Sequence, residues 1–483
     1  MKKILSILLA ALLILTVAAC GGQGTSEKSS EVPSSQVVEP TTGDAEESEE
    51  PSSTETVPED VDLGGYKFVM GDWWSDAVYT EKEPASAWDQ LQRDYHHRIM
   101  DEMKFSFEQI GLQNMGDYAS VIVNSFVNND PVCSSFQMQI SQFVPLAAQG
   151  LLADFSKYVD LSDDLWNKQI ADYFTINGVC YASRAGLDEP RLGVLFNKRL
   201  FEEAGVDPDL PYSLQDSGEW DWAHFEELCQ KLTRDTDNDH KTDIFALNAN
   251  DCELLCAGIY GNGAMFVERG EDGRFTDGTL NPAFREGVEW AVGLIEKGYV
   301  NEFGQGEAWD RAYTDFANGR CAMLISQTWV IQSYLSGMND EFGYVMLPKG
   351  TAEGARICTN MSPTPVAIPN CLSEEDKVKT GKILTAWYDT MEQIPEASMM
   401  GITFRDNYYT TFRDIDAVDK TISMMLTDDQ YQVYDSYQLI PNYEYYGYLV
   451  SVAARNATAA EKIEELRPLN QAAIDAANTL FGY

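Results

Sequence analysis

YKFVMGDWW, residues 66–74, opens the part of the chain that reads as folded. YKFVM alternates with the period of a half-buried strand and runs straight into Gly71, Asp72, Trp73 and Trp74. The next stretch, SAWDQLQRDYHHRIMDEM (86–103), sets Trp88, Leu91, Tyr95, Ile99 and Met103 on one stripe at helical spacing. KFSFEQI (104–110) predicts a second strand, SVIVNSFVNN (120–129) a second helix and FQMQI (136–140) a third strand. Gly150 closes the helix that follows. Strands alternating with helices specify an α/β layered domain with a largely parallel sheet. Ligands of such sheets sit beyond the carboxyl ends of the strands. Asp72, Trp73 and Trp74 occupy that kind of position.

Upstream, MKKILSILLAALLILTVAAC joins Lys2 and Lys3 to a short apolar run that ends in Ala18, Ala19 and Cys20. A basic start, a short apolar run and small residues at its end make a secretory signal over residues 1–19, too short to span a bilayer comfortably. Val-Ala-Ala-Cys followed by Gly-Gly resembles the bacterial lipobox, which implies that Cys20 becomes a lipidated N-terminus carrying acyl chains such as palmitate. Residues 21–60 then hold one basic residue, Lys28, against eleven Asp and Glu and no aromatics. Such a segment cannot bury enough apolar surface to offset its chain entropy. Residues 20–62 are therefore expected to be a self-repelling tether that holds a domain away from the membrane.

The roughly 420 residues beyond the tether exceed the size at which one core keeps growing, so two lobes are expected. Net charge is −43, from 34 basic and 77 acidic residues, which argues against nucleic acid or an anionic membrane surface as partner. Apart from Cys20 there are eight cysteines, with no CxxC pair; Cys252 and Cys256 form CxxxC. Several lie in apolar runs, as in GVCYA and GRCAML, and read as small buried hydrophobes. Of the four histidines, His96 and His97 point to different faces of a helix and make poor joint ligands. HExxH, GxSxG, Walker and GxGxxG motifs are all missing, and no enzyme is expected.

RLGVLFNKRLFEEAGVD (191–207) followed by WDWAHFEELCQKLT (220–233) resembles the segment of family 1 extracellular solute-binding proteins in which the chain enters the second lobe. There a strand ending Tyr-Asn-Lys precedes Phe-Glu-Glu-Ala-Gly-Val; here Phe196 replaces the tyrosine. DFANGRCAMLISQTWVIQSY (315–334), FGYVMLPKG (342–350), AAQGLLADFSKYV (147–159) and INGVCYASR (176–184) are similar to further family stretches, in the expected order over about residues 64–395. The resemblance implies a two-lobed α/β fold of the periplasmic-binding-protein type II (Venus-flytrap) class, each lobe a mixed sheet flanked by helices. Residues 63–187 with 348–395 are assigned to one lobe, and 188–347 with 396–483 to the other. It also implies a monomer on the outer face of a bacterial cell membrane, delivering a sugar or oligosaccharide to an ABC permease.

A sugar ring offers an apolar face of C–H groups and a rim of hydroxyls. Aromatic platforms with a few polar groups around the edge therefore bind it. With ten Trp, 24 Tyr and 21 Phe the chain can furnish both a core and platforms. The resemblance makes Trp329 the candidate stacking residue, with Ser326, Gln327 and Thr328 offering polar groups before it. Successive residues of an extended chain point opposite ways, so one of Trp73 and Trp74 is expected on the ligand and the other inside. Asp72 either accepts from hydroxyls or caps the segment after it. Trp309, Asp310, Asn360, and Arg405 beside Tyr408 and Tyr409 complete the candidates. Trp220 and Trp222 are expected to anchor a helix start.

DTDNDHKTD (235–243) places Asp235, Asp237, Asp239, the Lys241 carbonyl and Asp243 at the first five ligand positions of an EF-hand-type calcium loop. The twelfth position is Ala246, which cannot ligate, and His240 stands where glycine is usual. The family often carries an aspartate-rich loop just here, which implies a structural Ca2+ away from the cleft; Asp251 and Glu253, nearby in sequence, are the acids that could replace the missing ligand. Two other function classes remain open at this point. One is a receptor for a polyamine or peptide, with Asp72, Trp73 and Trp74 as a cation cage. The other is a surface glycoside hydrolase whose acid pair hides among the many carboxylates.

Overall fold

The computed structural model describes residues 61–483 other than 76–82, 85, 113–117, 186–189, 303–307, 390–404 and 428. The expected signal peptide, Cys20 and the tether up to residue 60 lie outside the described residues.

The first sheet begins with β1 (Tyr66–Asp72). Helix α1 (Ala87–Met103) starts where the Ser86 hydroxyl accepts from the Asp89 amide at 3.0 Å and stops at Lys104, which takes the left-handed conformation. It returns the chain to β2 (Phe105–Gly111), parallel to β1 with Tyr66 opposite Phe105 and Asp72 opposite Gly111. Helix α2 (Tyr118–Val127) leads to β3 (Ser135–Gln137), parallel to β1 on its other side. These two crossovers are the βαβ units that the alternation predicts. FQMQI does not stay extended throughout: β3 ends at Gln137, and helix α3 (Ile140–Ala148) has begun by the last residue of that stretch. On the stripe of α1, Ile99 and Met103 are buried, while Trp88, Leu91 and Tyr95 are half-buried. Strand β4 (Ala182–Ser183) lies at the sheet's far edge.

The second sheet is built on β5 (Pro190–Asn197), almost wholly buried and apolar, as a strand covered on both faces must be. Beyond it come α4 (Trp222–Leu232), β6 (Phe245–Ala249), α5 (Asp251–Gly261), α6 (Pro282–Glu296) and α7 (Arg311–Ala317). Then follow β7 (Cys321–Gln327), β8 (Phe342–Val345) and β9 (Thr359–Met361). Strand β7 runs antiparallel to β5 and parallel to β6, while β8 and β9 pair in succession along the opposite edge of β5. Gly343 is required in β8, because a Cβ there would fall 2.1 Å from the Phe196 ring. Trp220 is fully buried, its indole N–H donating to the Met346 carbonyl at 2.7 Å, and Trp222 stacks on Trp290 with centroids 4.5 Å apart.

The chain then returns to the first sheet as β10 (Val366–Ala367), which closes the order β2-β1-β3-β10-β4. Helix α8 (Glu374–Tyr388) adds Ile383 and Leu384 to a core that holds Phe68, Met70, Ile99, Phe105, Phe155 and Trp166. Each such fully buried large apolar side chain contributes about 1.5–3 kcal/mol. Residues 348–395, read from sequence as part of one lobe, thus supply strands to both sheets: Thr359–Met361 to the second and Val366–Ala367 to the first. Strand β11 (Gln432–Val433) pairs with β9, giving the second sheet the order β11-β9-β5-β7-β6. The chain passes from the first sheet to the second between Ser183 and Pro190, and back between Met361 and Val366. The result is a two-lobed α/β fold. No helix among the described residues is long and apolar enough to cross a membrane.

Candidate ligand-binding site

Parallel pairing brings the carboxyl ends of β6 and β7 to one edge, with Ile325 opposite Ala249. Beyond β6, the Asn250 side chain accepts from the Cys252 amide at 3.1 Å and starts α5, so Glu253 falls in its first turn. Beyond β7 come Gln327, Thr328 and Trp329. Thr328 is pinned to β5, its amide donating to the Arg191 carbonyl at 3.0 Å and its hydroxyl to the Pro190 carbonyl at 2.6 Å. That anchor holds half-buried Trp329 at the edge, where it joins Trp309, Tyr313 and Tyr334. Tyr313 meets Trp329 edge-on at 5.6 Å and 84°, and Trp309 lies 6.4 Å from Trp329 with a tilt of 32°. Tyr334 packs against all three, and its hydroxyl donates to Asp310 at 3.2 Å. Ring centroids 5.3–6.4 Å apart place the four rings in mutual contact as one aromatic platform, in which Trp309 and Trp329 are the pair nearest to coplanar. Trp309 is 63% exposed at its rim. Beneath the platform, Glu253 Oε1 accepts from the Tyr313 hydroxyl at 3.4 Å and from Gln327 Nε2 at 3.3 Å. Burial pushes the Glu253 carboxyl up to about 7, against the pull of the Ser326 hydroxyl and the Gln327 amide.

At the carboxyl end of β1 the picture is different. Asp72 is fully buried and accepts from the Trp74 amide at 3.0 Å, the Ser75 amide at 2.7 Å, the Ser75 hydroxyl at 2.6 Å and the Gln109 side chain. Its oxygens are occupied in shaping the turn that carries the two tryptophans. Trp73 packs edge-on against Tyr118 at 5.6 Å, while Trp74 is 52% exposed. Asn360 sits where β9 shifts register, its amide donating to the Met361 carbonyl at 3.3 Å and the Val433 carbonyl at 3.4 Å. Arg405 begins the helix Arg405–Phe412, and its side chain lies outside the described residues. The structure thus brings Gln327 and Trp329 together with Trp309 and Asp310. Tyr313 and Tyr334 join them without having been singled out from sequence, and Glu253, expected at the acidic loop, joins them instead. Tyr313 stands four residues after Trp309, a spacing that could have suggested it; a glutamate in so acidic a chain carries no such signal.

The model of the family described as bacterial extracellular solute-binding protein matches residues 112–379, more than half of the chain. The chain belongs to that family. No curated relative matches the sequence of this solute-binding protein. Several solved structures share its fold over nearly their whole length. An ABC substrate-binding protein from Listeria monocytogenes in complex with cycloalternan is 16% identical, covering 87% of this chain and 100% of its own, with a TM-score of 0.56. A Mycobacterium tuberculosis protein in complex with glycerophosphocholine is 18% identical, covering 86% and 99%, with a TM-score of 0.59. The cyclic alpha-maltosyl-1,6-maltose binding protein from Arthrobacter globiformis is 14% identical, with the same coverage and TM-score. As a member of a family of binding proteins, this solute-binding protein is not an enzyme.

Its acidic loop follows α4. Asp235, Asp237 and Asp239 are exposed, with oxygens that all lie within 4.8 Å of one another. Asp235 is wrapped by the amides of Asn238, Asp239 and His240 at 2.7, 3.2 and 2.8 Å. Asn238 and His240 both take positive φ, 63° and 66°, so His240 performs the turn that glycine would. Asp243 does not join the cluster; its Oδ2 accepts from the Thr236 amide and hydroxyl at 2.7 and 2.6 Å. Ala246 is buried in β6, and Glu253 is held beneath the aromatic platform. Three convergent carboxylates offer the hard oxygen donors that suit Ca2+, which takes six to eight oxygens including waters.

Proposed function

We propose that this solute-binding protein is a lipid-anchored receptor that captures an oligosaccharide and delivers it to an ABC permease. The observation that carries this reading is the platform of Trp309, Tyr313, Trp329 and Tyr334 at the carboxyl edge of β6 and β7, with Gln327 beside it. Flat rings flanked by an amide and a carboxylate match the apolar face and hydroxyl rim of a sugar. The solved structures of similar fold in complex with cycloalternan and with maltotetraose, and that of a cyclic alpha-maltosyl-1,6-maltose binding protein, support the same class. Trp74 is offered as a second platform from the first sheet, set in place by Asp72, while Trp73 serves as its packing support. Cys20 is the proposed anchor. Asp235, Asp237 and Asp239 are the proposed ligands of a structural Ca2+, with Lys241 supplying a backbone carbonyl.

The polyamine alternative leaned on Asp72 as the anion of a cation cage. With its oxygens engaged by Trp74, Ser75 and Gln109, that alternative loses its support.

Thermal unfolding across a panel of mono- and oligosaccharides tests the proposal. A ligand that binds only the folded state stabilises it by about 2.7 kcal/mol at a hundred times its Kd. A midpoint raised by one family of oligosaccharides is expected. Indifference to the whole panel, with a response to peptides or choline esters, would replace the carbohydrate reading.

A further inference from the structure

One acidic side chain underlies the aromatic platform without lining its surface. Glu253 is 8% exposed and sits in the first turn of α5. Its Oε1 is shared by two donors, the Tyr313 hydroxyl and Gln327 Nε2, which come from α7 and from the end of β7. Its Oε2 is buried without a hydrogen bond of normal geometry, and the Ser326 hydroxyl, which faces the carboxyl from the residue before Gln327, is buried without one too. Buried polar atoms left unsatisfied are rare and concentrate where function imposes them.

Both donors lead directly to the platform. Tyr313 meets Trp329 edge-on at 5.6 Å and Trp309 edge-on at 5.9 Å, so fixing its hydroxyl fixes the ring that sets both indoles. Gln327 precedes Trp329 by two residues. Because its Nε2 donates to Glu253, its carbonyl oxygen turns the other way and is left as an acceptor. We propose that Glu253 is a positioning residue for ligand capture, clamping Tyr313 and Gln327 so that the platform presents a fixed hydrogen-bond acceptor next to Trp329. The ligand such an arrangement selects must carry hydroxyl donors beside an apolar face, a refinement that rests on the carbohydrate reading.

The clamp has a pH signature. The groups facing the carboxyl are Tyr313 from α7, Ser326 and Gln327 from β7, the Asn250 backbone, and Cys256 on the next turn of α5. None of them is a cation, so the carboxylate is held by neutral donors alone. Its burial places the change of charge near neutrality. Ionised, Oε1 accepts more strongly from both donors; protonated, it holds them more loosely.

The test compares the wild type with Glu253→Gln and Glu253→Leu. Glutamine keeps an acceptor for the same two donors and loses the charge; leucine keeps the bulk and loses the acceptor. Calorimetric titration with the oligosaccharide that raises the unfolding midpoint is run from about pH 5.5 to 8.5, spanning neutrality. E253L is expected to lose roughly tenfold or more in affinity, and E253Q only about threefold. Wild-type affinity is expected to fall as pH drops through neutrality, and that of E253Q to stay flat. In parallel, the tryptophan fluorescence of the ligand-free chain is followed over the same range; it should titrate near neutrality in the wild type and not in E253Q. E253L binding as well as wild type, or E253Q binding as poorly as E253L, would overturn the clamp. If no sugar binds any variant, the ligand class is wrong, and the fluorescence titration alone decides the role of Glu253: a change shared equally by wild type and E253Q overturns it.

Discussion

Trp309 and Trp329 lie with ring centroids 6.4 Å apart and planes tilted by 32°, the first largely exposed and the second half-buried. They come from the two ends of one segment, before α7 and after β7, so a ligand that covers both must extend beyond a single ring. Trp329→Ala is expected to raise the Kd of a bound oligosaccharide roughly 100-fold and Trp309→Ala about tenfold, as central and rim aromatics do. Isothermal titration reads both. Because Trp309 is exposed, its removal should leave the unfolding midpoint unchanged, which separates lost contact from lost fold.

Asp72 shapes the turn that carries Trp73 and Trp74, through amides two and three residues on and the Gln109 side chain. Asp72→Ala would strand those partly buried donors, at a cost of about 1–3 kcal/mol. Urea unfolding should show that loss, with Asp72→Asn recovering part of it. If Asp72→Ala abolished sugar binding at full stability, Asp72 would be a direct ligand contact and its structural role secondary.

The alternation of strand and helix from Tyr66 to Gln137 was readable because each βαβ unit is local and carries its own periodicity and caps. The returning segment was not, since β9 and β10 are three- and two-residue strands whose sheet is chosen by partners far away in sequence: Leu192 for Asn360 and Phe136 for Ala367. The same division holds at the site. Trp329 was legible from its neighbours in the chain. Glu253 is a site residue only because β6 and β7 end together, and Asp72 is engaged by Gln109 of the neighbouring strand as well as by its own turn. Spacing alone set Asp243 among the calcium ligands, whereas Thr236 holds it elsewhere.

Gly258 of α5 and Gly287 of α6 face each other so closely that a Cβ on the first would sit 2.2 Å from the Gly287 carbonyl oxygen. A Cβ on the second would fall 2.5 Å from the Gly258 carbonyl oxygen. Alanine would add about 1 kcal/mol of helix propensity at either place. The backbone contact cannot yield without parting the helices, so a net loss of about 2–4 kcal/mol is expected for Gly258→Ala and for Gly287→Ala. Denaturant unfolding checks it. Gly293, on α6 with open space around it, is the control and should gain stability on the same change.

His96 lies flat against Trp387 at 3.6 Å, its ring nitrogen Nε2 bonding the Trp387 carbonyl at 3.0 Å. Burial lowers its pKa from 6.5 to about 4. Between those values the unfolded chain binds the proton and the folded one does not, so its contribution is fully present above 6.5 and lost as pH falls towards 4. Glu253 and Asp435 act in the opposite sense: burial raises both to about 7, so the folded state gains from them at acid pH and loses as pH rises through 7. His96→Phe keeps a flat ring without the proton. Its stability relative to wild type should improve by about 2 kcal/mol between pH 7 and pH 4.5, after a discount for the ring's partial exposure. A gap that is constant with pH would mean that His96 stays accessible to protonation in the folded chain.

The acidic loop poses a question of balance. Asp235, Asp237 and Asp239 are brought within ligating distance of one another, and at this spacing their repulsion must be offset by something. Backbone amides supply part: three on Asp235, and one each on Asp237 and Asp239. The Lys241 ammonium, 3.0 Å from Asp239, supplies another part, though it is highly exposed. A divalent cation would supply the rest, drawing in the Lys241 carbonyl and waters to complete its shell. Calcium is therefore expected to raise the unfolding midpoint, EDTA to lower it, and Asp237→Asn to abolish both responses while leaving sugar affinity within about twofold. An unfolding midpoint indifferent to calcium and to EDTA would show that amides and Lys241 suffice. Asp237→Asn would then raise the midpoint by relieving a repulsion, so the sign of that single substitution distinguishes a metal loop from a bare turn.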